Sequence, residues 1–174
     1  MRDNANPFSF LTDTEFKLKK IENRYSNLRR HLINGLFISH SGLDSKIIQR
    51  ILIPIIDERF TPERYFFHSR LSGAAEAYRE IVQAALHYCN KFMIVLSHNS
   101  ISNDWVKAEV TWAVVHKRPI ILCSLDNINP AQLYPAFKQY LDKYSEIKIY
   151  DIDFNAGIEV GQKTLRQVLD KLLK

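Results

Sequence analysis

Long hydrophobic runs are absent from this chain of 174 residues. Its longest apolar runs, such as 51–56 and 92–96, are far shorter than the roughly 20 residues of a membrane-spanning helix, and no hydrophobic leader opens the sequence. We therefore expect a cytoplasmic protein with no membrane partner. The apolar fraction of 46% and the charged fraction of 25% are typical of a globular chain, and the length suits one domain.

Cysteine is scarce, because Cys89 and Cys123 are the only two in the sequence. Two cysteines stabilise a chain of this length very little as a disulfide framework, and each lies in or beside an apolar segment. We therefore expect two reduced thiols that are buried by packing.

Several catalytic and metal-binding signatures are also missing. Neither G-x-G-x-x-G nor a P-loop is present, which excludes a Rossmann dehydrogenase and a P-loop kinase, and no G-x-S-x-G elbow supports a Ser-His-acid hydrolase. His40, His68 and His98 each follow a predicted strand, but the sequence has no metal-ligand spacing such as C-x-x-C or H-E-x-x-H. We therefore expect no metal site and interpret these histidines as lining a nucleotide pocket.

The net charge is a modest +5, of which residues 1–34 supply +3 with seven basic and four acidic residues. Acidic residues interrupt this basic stretch, and no signature of RNA or DNA recognition follows it. We therefore do not expect nucleic acid as a partner. A solvated helix face explains the charge better, and the surplus would attract an anionic small molecule to a cleft.

From residue 35 onward, predicted strands alternate with predicted helices. The strands are apolar along their whole length: 36–39, 65–68, 92–97, 119–125 and 147–152. The helices lie between and after them: 44–59 with a bend at Pro54, 76–90, 102–116 and 162–173. A longer connection at 126–144 contains a short predicted helix at 136–141. Fully apolar strands between helices predict an α/β fold with a parallel sheet that helices cover on both faces.

For five such strands the flavodoxin-like order 2-1-3-4-5 is the favoured topology. A further helix is predicted at about 12–30, ahead of the first strand. We therefore divide the chain into an N-terminal helical extension at 1–34 and a domain at 35–174. In this topology a ligand should bind where the strand order reverses, at the carboxyl ends of the first and third strands, which carry the sequences SHS at 39–41 and SHN at 97–99.

Glu109 lies inside an apolar stripe of the helix that follows the third strand. Its neighbours at helical spacing are all apolar: Trp105, Val106, Trp112 and Ala113. Such a carboxyl should face something other than bulk water. It either belongs to a pocket in which Trp105 stacks a flat ring, or is a core-edge residue satisfied by a backbone N–H or an arginine.

These segments resemble the TIR (Toll/interleukin-1 receptor) domain family, and within it the bacterial type that consumes NAD. FISHSGLD at 37–44 is similar to the family's first-strand motif, and DWVKAEV at 104–110 resembles its W-x-x-x-E segment. SRLSGAA at 69–75 occupies the position of the BB loop, but it lacks the acidic and proline residues usual in receptor TIRs, which argues against adaptor-type contacts. The resemblance covers about 36–173.

The resemblance implies cleavage of the nicotinamide–ribose bond of NAD, which releases nicotinamide and ADP-ribose or a cyclic derivative, in bacterial anti-phage immunity. It implies that Glu109 is the catalytic carboxylate, because a carboxylate can stabilise an oxocarbenium-like ribose. The substrate-binding residues that we expect are Trp105, Ser39, His40, Ser41, Gly42, His68, Arg70 and Gly73. NAD is then a substrate, and no separate cofactor is expected.

The implied partners are NAD, other copies of the chain through TIR–TIR contacts, and a downstream effector that senses the product. The alternative function is a non-enzymatic TIR interaction module that self-associates through the BB loop. A nucleoside deoxyribosyltransferase-like enzyme also shares the topology and the single glutamate. A phospho-receiver would need an aspartate where Ser97 stands.

Overall fold

The computed structural model of the chain describes residues 26–68, 75–126, 128 and 148–173. Its strands are β1 Leu36–Ser39, β2 Tyr65–Phe66, β3 Lys91–Leu96, β4 Ile120–Ser124 and β5 Ile149–Asp153. They form a five-stranded, all-parallel sheet in the order β2-β1-β3-β4-β5. The predicted flavodoxin-like arrangement is therefore confirmed, and the strand order reverses between β1 and β3.

The described helices connect these strands and flank the sheet. They are α1 Ser26–Leu32, α2 Ser45–Ile51, α3 Ile53–Asp57, α4 Ala75–Tyr88, α5 His98–Ile101, α6 Asp104–Val115 and α7 Ile158–Leu172. The helix predicted at 44–59 is divided at Leu52, and Pro54 lies in the first turn of α3. A proline in a first turn removes no helical hydrogen bond, which explains why the bend falls there.

Apolar side chains pack against both faces of the sheet. Alternation along β1 sends Phe37 into the core beneath α4 and α6, whereas Ile38 enters the core beneath α2, α3 and α7. Phe92 and Met93 alternate in the same way along β3, which is central in the sheet as predicted. Two buried layers therefore hold the strand ends in fixed positions.

Two predicted elements differ from the structure near the carboxyl ends of the strands. The second strand ends at Phe66 instead of residue 68, and the His68 side chain lies 3.3 Å from the carbonyl oxygen of His40. Residues 98–101, predicted as a loop, form α5. Ser97 and Ser100 cap this helix reciprocally, and apolar periodicity gives no sign of such a contact.

Part of the N-terminal extension contributes to the domain core. Leu32, the last residue of α1, is 2% exposed and packs with the buried residues beneath α4. The remainder of the predicted helix at 12–30, up to residue 25, and the short helix predicted at 136–141 lie outside the described residues. Among the helices that the structure describes, none is long and apolar enough to cross a membrane.

Gly35, between α1 and β1, allows a close approach of two backbone segments. A Cβ there would lie 2.6 Å from the carbonyl oxygen of Arg64 and 2.8 Å from that of Leu32. We expect Gly35→Ala to lower the free energy of unfolding by about 1–3 kcal/mol, measured by urea denaturation, because the backbone must move. The control is Gly42→Ala, which should leave stability unchanged or slightly higher, since a Cβ there meets nothing within 4 Å. Equal losses in both variants would contradict this explanation.

Candidate functional site

The buried polar and charged side chains of the described residues gather at one edge of the sheet. They are Ser39, His40, Ser41, Asp44, Ser97, Ser100 and Glu109. The first six lie at the carboxyl ends of β1 and β3 or in the segments that directly follow, and the seventh comes from α6. The rest of the buried core in the described ranges is apolar. The polar cluster therefore lies at the strand-order reversal, where the topology predicts a ligand.

Glu109 is 5% exposed, and its Oε2 accepts a hydrogen bond from Ser39 Oγ at 2.5 Å. No lysine, arginine or histidine of the described ranges forms an ion pair with it. Burial raises the pKa of Glu109 from 4.5 to about 8, although the hydrogen bond from Ser39 acts in the opposite direction. The expectation that this carboxyl is withdrawn from bulk water is confirmed, and its partner is a hydroxyl instead of an arginine or a backbone N–H.

The first turn of α6 fixes where Glu109 lies. Asn103 caps this helix, since its Oδ1 accepts hydrogen bonds from the backbone N–H groups of Trp105 at 2.9 Å and Val106 at 3.3 Å. Val106 is fully buried in the core, so the helix cannot rotate freely. Trp105 is partly exposed one turn before the acid, and the Arg79 guanidinium of α4 lies 5.9 Å from its ring centre. The indole therefore reaches the surface while the carboxyl stays inside.

His40 is packed among other rings. Its Nδ1–H donates to the carbonyl oxygen of Ile38 at 3.1 Å, so Nε2 is left to accept from Ser45 Oγ at 3.3 Å. The ring stacks on His68 at a centroid distance of 3.8 Å and on Phe67 at 4.6 Å. Burial, then the charge of His68, lowers the pKa of His40 to about 3, and burial also lowers the pKa of His68. Both ring nitrogens of this neutral His40 are therefore engaged within the protein.

A second buried acid, Asp44, joins the segment after β1 to the end of β3. It ends a short 3₁₀ turn, Gly42–Asp44, and is 5% exposed. Its Oδ2 accepts from Ser97 Oγ at 2.5 Å and its Oδ1 accepts from Asn99 Nδ2 at 2.7 Å. Sequence reasoning placed Asp44 in the first-strand motif but missed this contact. The polar residues that follow both strands were the available signal.

Most of the predicted site residues therefore lie at this edge. Ser39 contacts Glu109 directly, His68 stacks on His40, and Ser41 with Gly42 forms the 3₁₀ turn that leads to Asp44. The predicted residues Arg70 and Gly73 lie outside the described residues. Within the described ranges, no group of three or more His, Cys, Asp and Glu side chains is arranged to hold a metal ion.

The chain matches none of the protein-family models and none of the curated proteins with which it was compared. The features that bear on its function are therefore the geometry of this edge and the motif resemblance at 37–44 and 104–110.

The raised pKa of Glu109 should make the stability of the fold depend on pH. The folded protein keeps this proton while the unfolded chain loses it near pH 4.5, so the contribution of Glu109 to stability is greatest below that pH and is lost as the pH rises toward 8. Because glutamine carries no ionisable proton, we expect Glu109→Gln to lose less stability over this interval. At about 1.4 kcal/mol per pKa unit, the difference should reach a few kcal/mol in urea unfolding.

The matched control is Asp104→Asn on the same helix, since the Asp104 side chain is 69% exposed. The stability of Asp104→Asn should change with pH in the same way as that of the wild type. If the curves for Glu109→Gln and the wild type run parallel, Glu109 does not hold a proton in the folded state.

Proposed function

We propose that this protein cleaves the nicotinamide–ribose bond of NAD and that Glu109 is the catalytic carboxylate. The observation that supports this most directly is the burial of Glu109 against Ser39 at the strand-order reversal, together with the other buried polar side chains of the described residues. A buried acid without a cation is unfavourable for stability, which favours a catalytic role for it. The resemblance of 104–110 to the W-x-x-x-E segment provides the substrate class.

The proposed reaction needs one carboxylate. As the bond between nicotinamide and C1′ breaks, its electron pair goes to the nicotinamide nitrogen and neutralises the ring, so the leaving group takes no proton from the protein. Positive charge develops on C1′ and the ring oxygen of the ribose, where a carboxylate stabilises it. Water then attacks C1′, so that NAD and water give nicotinamide, ADP-ribose and a proton. Attack by a nitrogen of the adenine ring would give a cyclic product instead.

Ser39 and Trp105 have distinct tasks in this proposal. Ser39 holds Oε2 of Glu109, so we assign Oε1 to the ribose. The partly exposed indole of Trp105, one helical turn away, provides a flat wall for the nicotinamide. An electron-rich indole face also attracts a cationic ring, which favours oxidised NAD over its neutral reduced form.

Binding of NAD should itself ionise the acid. In the free protein burial raises the pKa of Glu109 to about 8, so the neutral form predominates at pH 7. A cationic nicotinamide placed beside it favours the carboxylate and lowers its pKa. The site would then carry a negative charge mainly when its cationic substrate is present.

The same resemblance leads us to propose cytoplasmic action in bacterial anti-phage immunity, with copies of the chain associating through TIR–TIR contacts and the product acting on a downstream effector. Because such association can be required for catalysis, assays should extend to high protein concentration. The alternative, a non-enzymatic interaction module, needs no acid in the position of Glu109.

Nicotinamide release tests the proposal. We expect the wild type to release nicotinamide from NAD at high protein concentration, and Glu109→Gln to reduce the rate at least about 100-fold, measured by liquid chromatography with mass spectrometry of the products. Asp104→Asn, which removes an exposed acid from the same helix, should retain the wild-type rate. Equal rates in the wild type and Glu109→Gln would overturn the role of Glu109. Self-association with no turnover at any concentration would favour the interaction module.

The pH dependence of the rate provides a second test. Because the active form is the carboxylate, kcat/KM should rise as the pH increases toward the pKa of about 8 of free Glu109. The corresponding rise in kcat should occur at lower pH, since bound NAD lowers this pKa. Steady-state kinetics across the pH range would measure both. A kcat/KM that falls as the pH rises toward 8 would show that the protonated acid is the active form.

A further inference from the structure

We propose that Asp44 is a positioning residue for Glu109, and that it acts by fixing the distance between the segment after β1 and the end of β3. The inference rests on the proposed function for its kinetic consequence. The contacts that support it belong to the fold and are independent of any substrate.

The hydrogen bonds of Asp44 cross between two parts of the chain. It occupies the N-cap position of α2, yet its side chain makes no capping bond to that helix. Its two oxygens instead bind Ser97 and Asn99, which are 53 and 55 residues away in sequence. A buried carboxylate that accepts two short hydrogen bonds forms a stronger link than neutral groups do. Asp44 therefore stabilises the junction of the two strand ends more than its own helix.

A series of hydrogen bonds connects Ser97 to α6, the helix that carries Glu109. Ser97 Oγ accepts from the backbone N–H of Ser100 at 3.0 Å, and Ser100 Oγ accepts from the backbone N–H of Ser97 at 2.8 Å. The N–H of Asn103 donates to the carbonyl oxygen of Ser100 at 3.1 Å, and Asn103 caps α6. Local hydrogen bonds thus hold the residues between Ser97 and α6 in place. A shift of Ser97 would move the start of α6.

A further hydrogen bond joins α6 back to the end of β1, through the proposed catalytic residue Glu109. Glu109 on α6 accepts from Ser39, which lies five residues before Asp44. Three side-chain hydrogen bonds therefore join the end of β1 and the segment after it to residues 97–109: Ser97 to Asp44, Asn99 to Asp44, and Ser39 to Glu109. Without the two bonds of Asp44, Glu109 is held to β1 by the Ser39 hydroxyl, by the pairing of β1 with β3 and by core packing. A sub-ångström or larger drift of the carboxyl would then lower the rate, since catalysis requires accurate placement.

The competing role for Asp44 is that of a second catalytic carboxylate, and Asp44→Asn distinguishes the two. The asparagine oxygen can still accept from Ser97, and its NH₂ group can donate to Asn99 once that amide turns over. This variant therefore keeps both links but removes the negative charge. A positioning residue tolerates the change, whereas a catalytic carboxylate does not.

We expect Asp44→Ala to lower kcat at least tenfold with less than a threefold change in KM, and Asp44→Asn to stay within threefold of the wild type. The control is Asp153→Ala at the end of β5, where an exposed acid bonds only locally to Asn155 among the described residues. Asp153→Ala should leave kcat and KM unchanged. Equal losses in Asp44→Ala and Asp44→Asn, or no loss in either, would overturn the inference.

A second readout needs no turnover and separates this inference from the proposed function. We expect Asp44→Ala, but not Asp44→Asn, to speed amide hydrogen exchange at 100–106 and to move the pKa of Glu109, followed by carboxyl NMR, toward 4.5. If Asp44→Ala does not fold, Asn99→Ala removes one of the two bonds and should produce smaller changes in the same direction. Unchanged exchange and titration would overturn the positioning role even if NAD is cleaved. The expected changes without NAD cleavage would support it while the proposed function fails.

Discussion

The hydrogen bond from Ser39 Oγ to Glu109 Oε2, at 2.5 Å, is the contact on which the candidate site depends. It joins the end of β1 to α6 across the reversal of strand order. Among the described residues it is the only hydrogen bond to the carboxyl of Glu109, whose charged form burial disfavours. A core optimised for stability alone would place an apolar side chain here. The cost of burying this acid supports the proposed catalytic role of Glu109.

Most of the buried polar groups around this bond find their hydrogen-bond partners within the protein. Asp44 is satisfied by Ser97 and Asn99, and His40 by Ile38 and Ser45, so these groups bond to the protein instead of to bulk water. Such a network fixes the geometry of loops that would otherwise be the mobile part of a parallel α/β domain. A rigid edge suits chemistry that depends on the placement of one carboxyl.

The sequence was sufficient for the topology because five apolar runs separated by helical periods allow few arrangements. The position and burial of Glu109 also followed from spacing, since its neighbours at helical distance are all apolar. The hydrogen bond between Ser97 and Asp44 could not be predicted from spacing, because it connects residues 53 apart and depends on the register of β1 against β3. The stack of His40 on His68 likewise depends on where β2 ends, and α5 depends on a local serine pair that carries no periodic signal.

The most direct test of the account is a carboxyl NMR titration of Glu109, assigned with the Glu109→Gln variant, in complexes with two dinucleotides. One is a carbocyclic NAD analogue, which keeps the cationic ring but resists cleavage, and the other is NADH, whose ring is neutral. We predict that the analogue lowers the pKa of Glu109 by at least about one unit and that NADH does not, because an adjacent positive charge favours the carboxylate. Binding of both ligands with no change in the titration of Glu109 would place the acid away from the reacting bond and contradict the account.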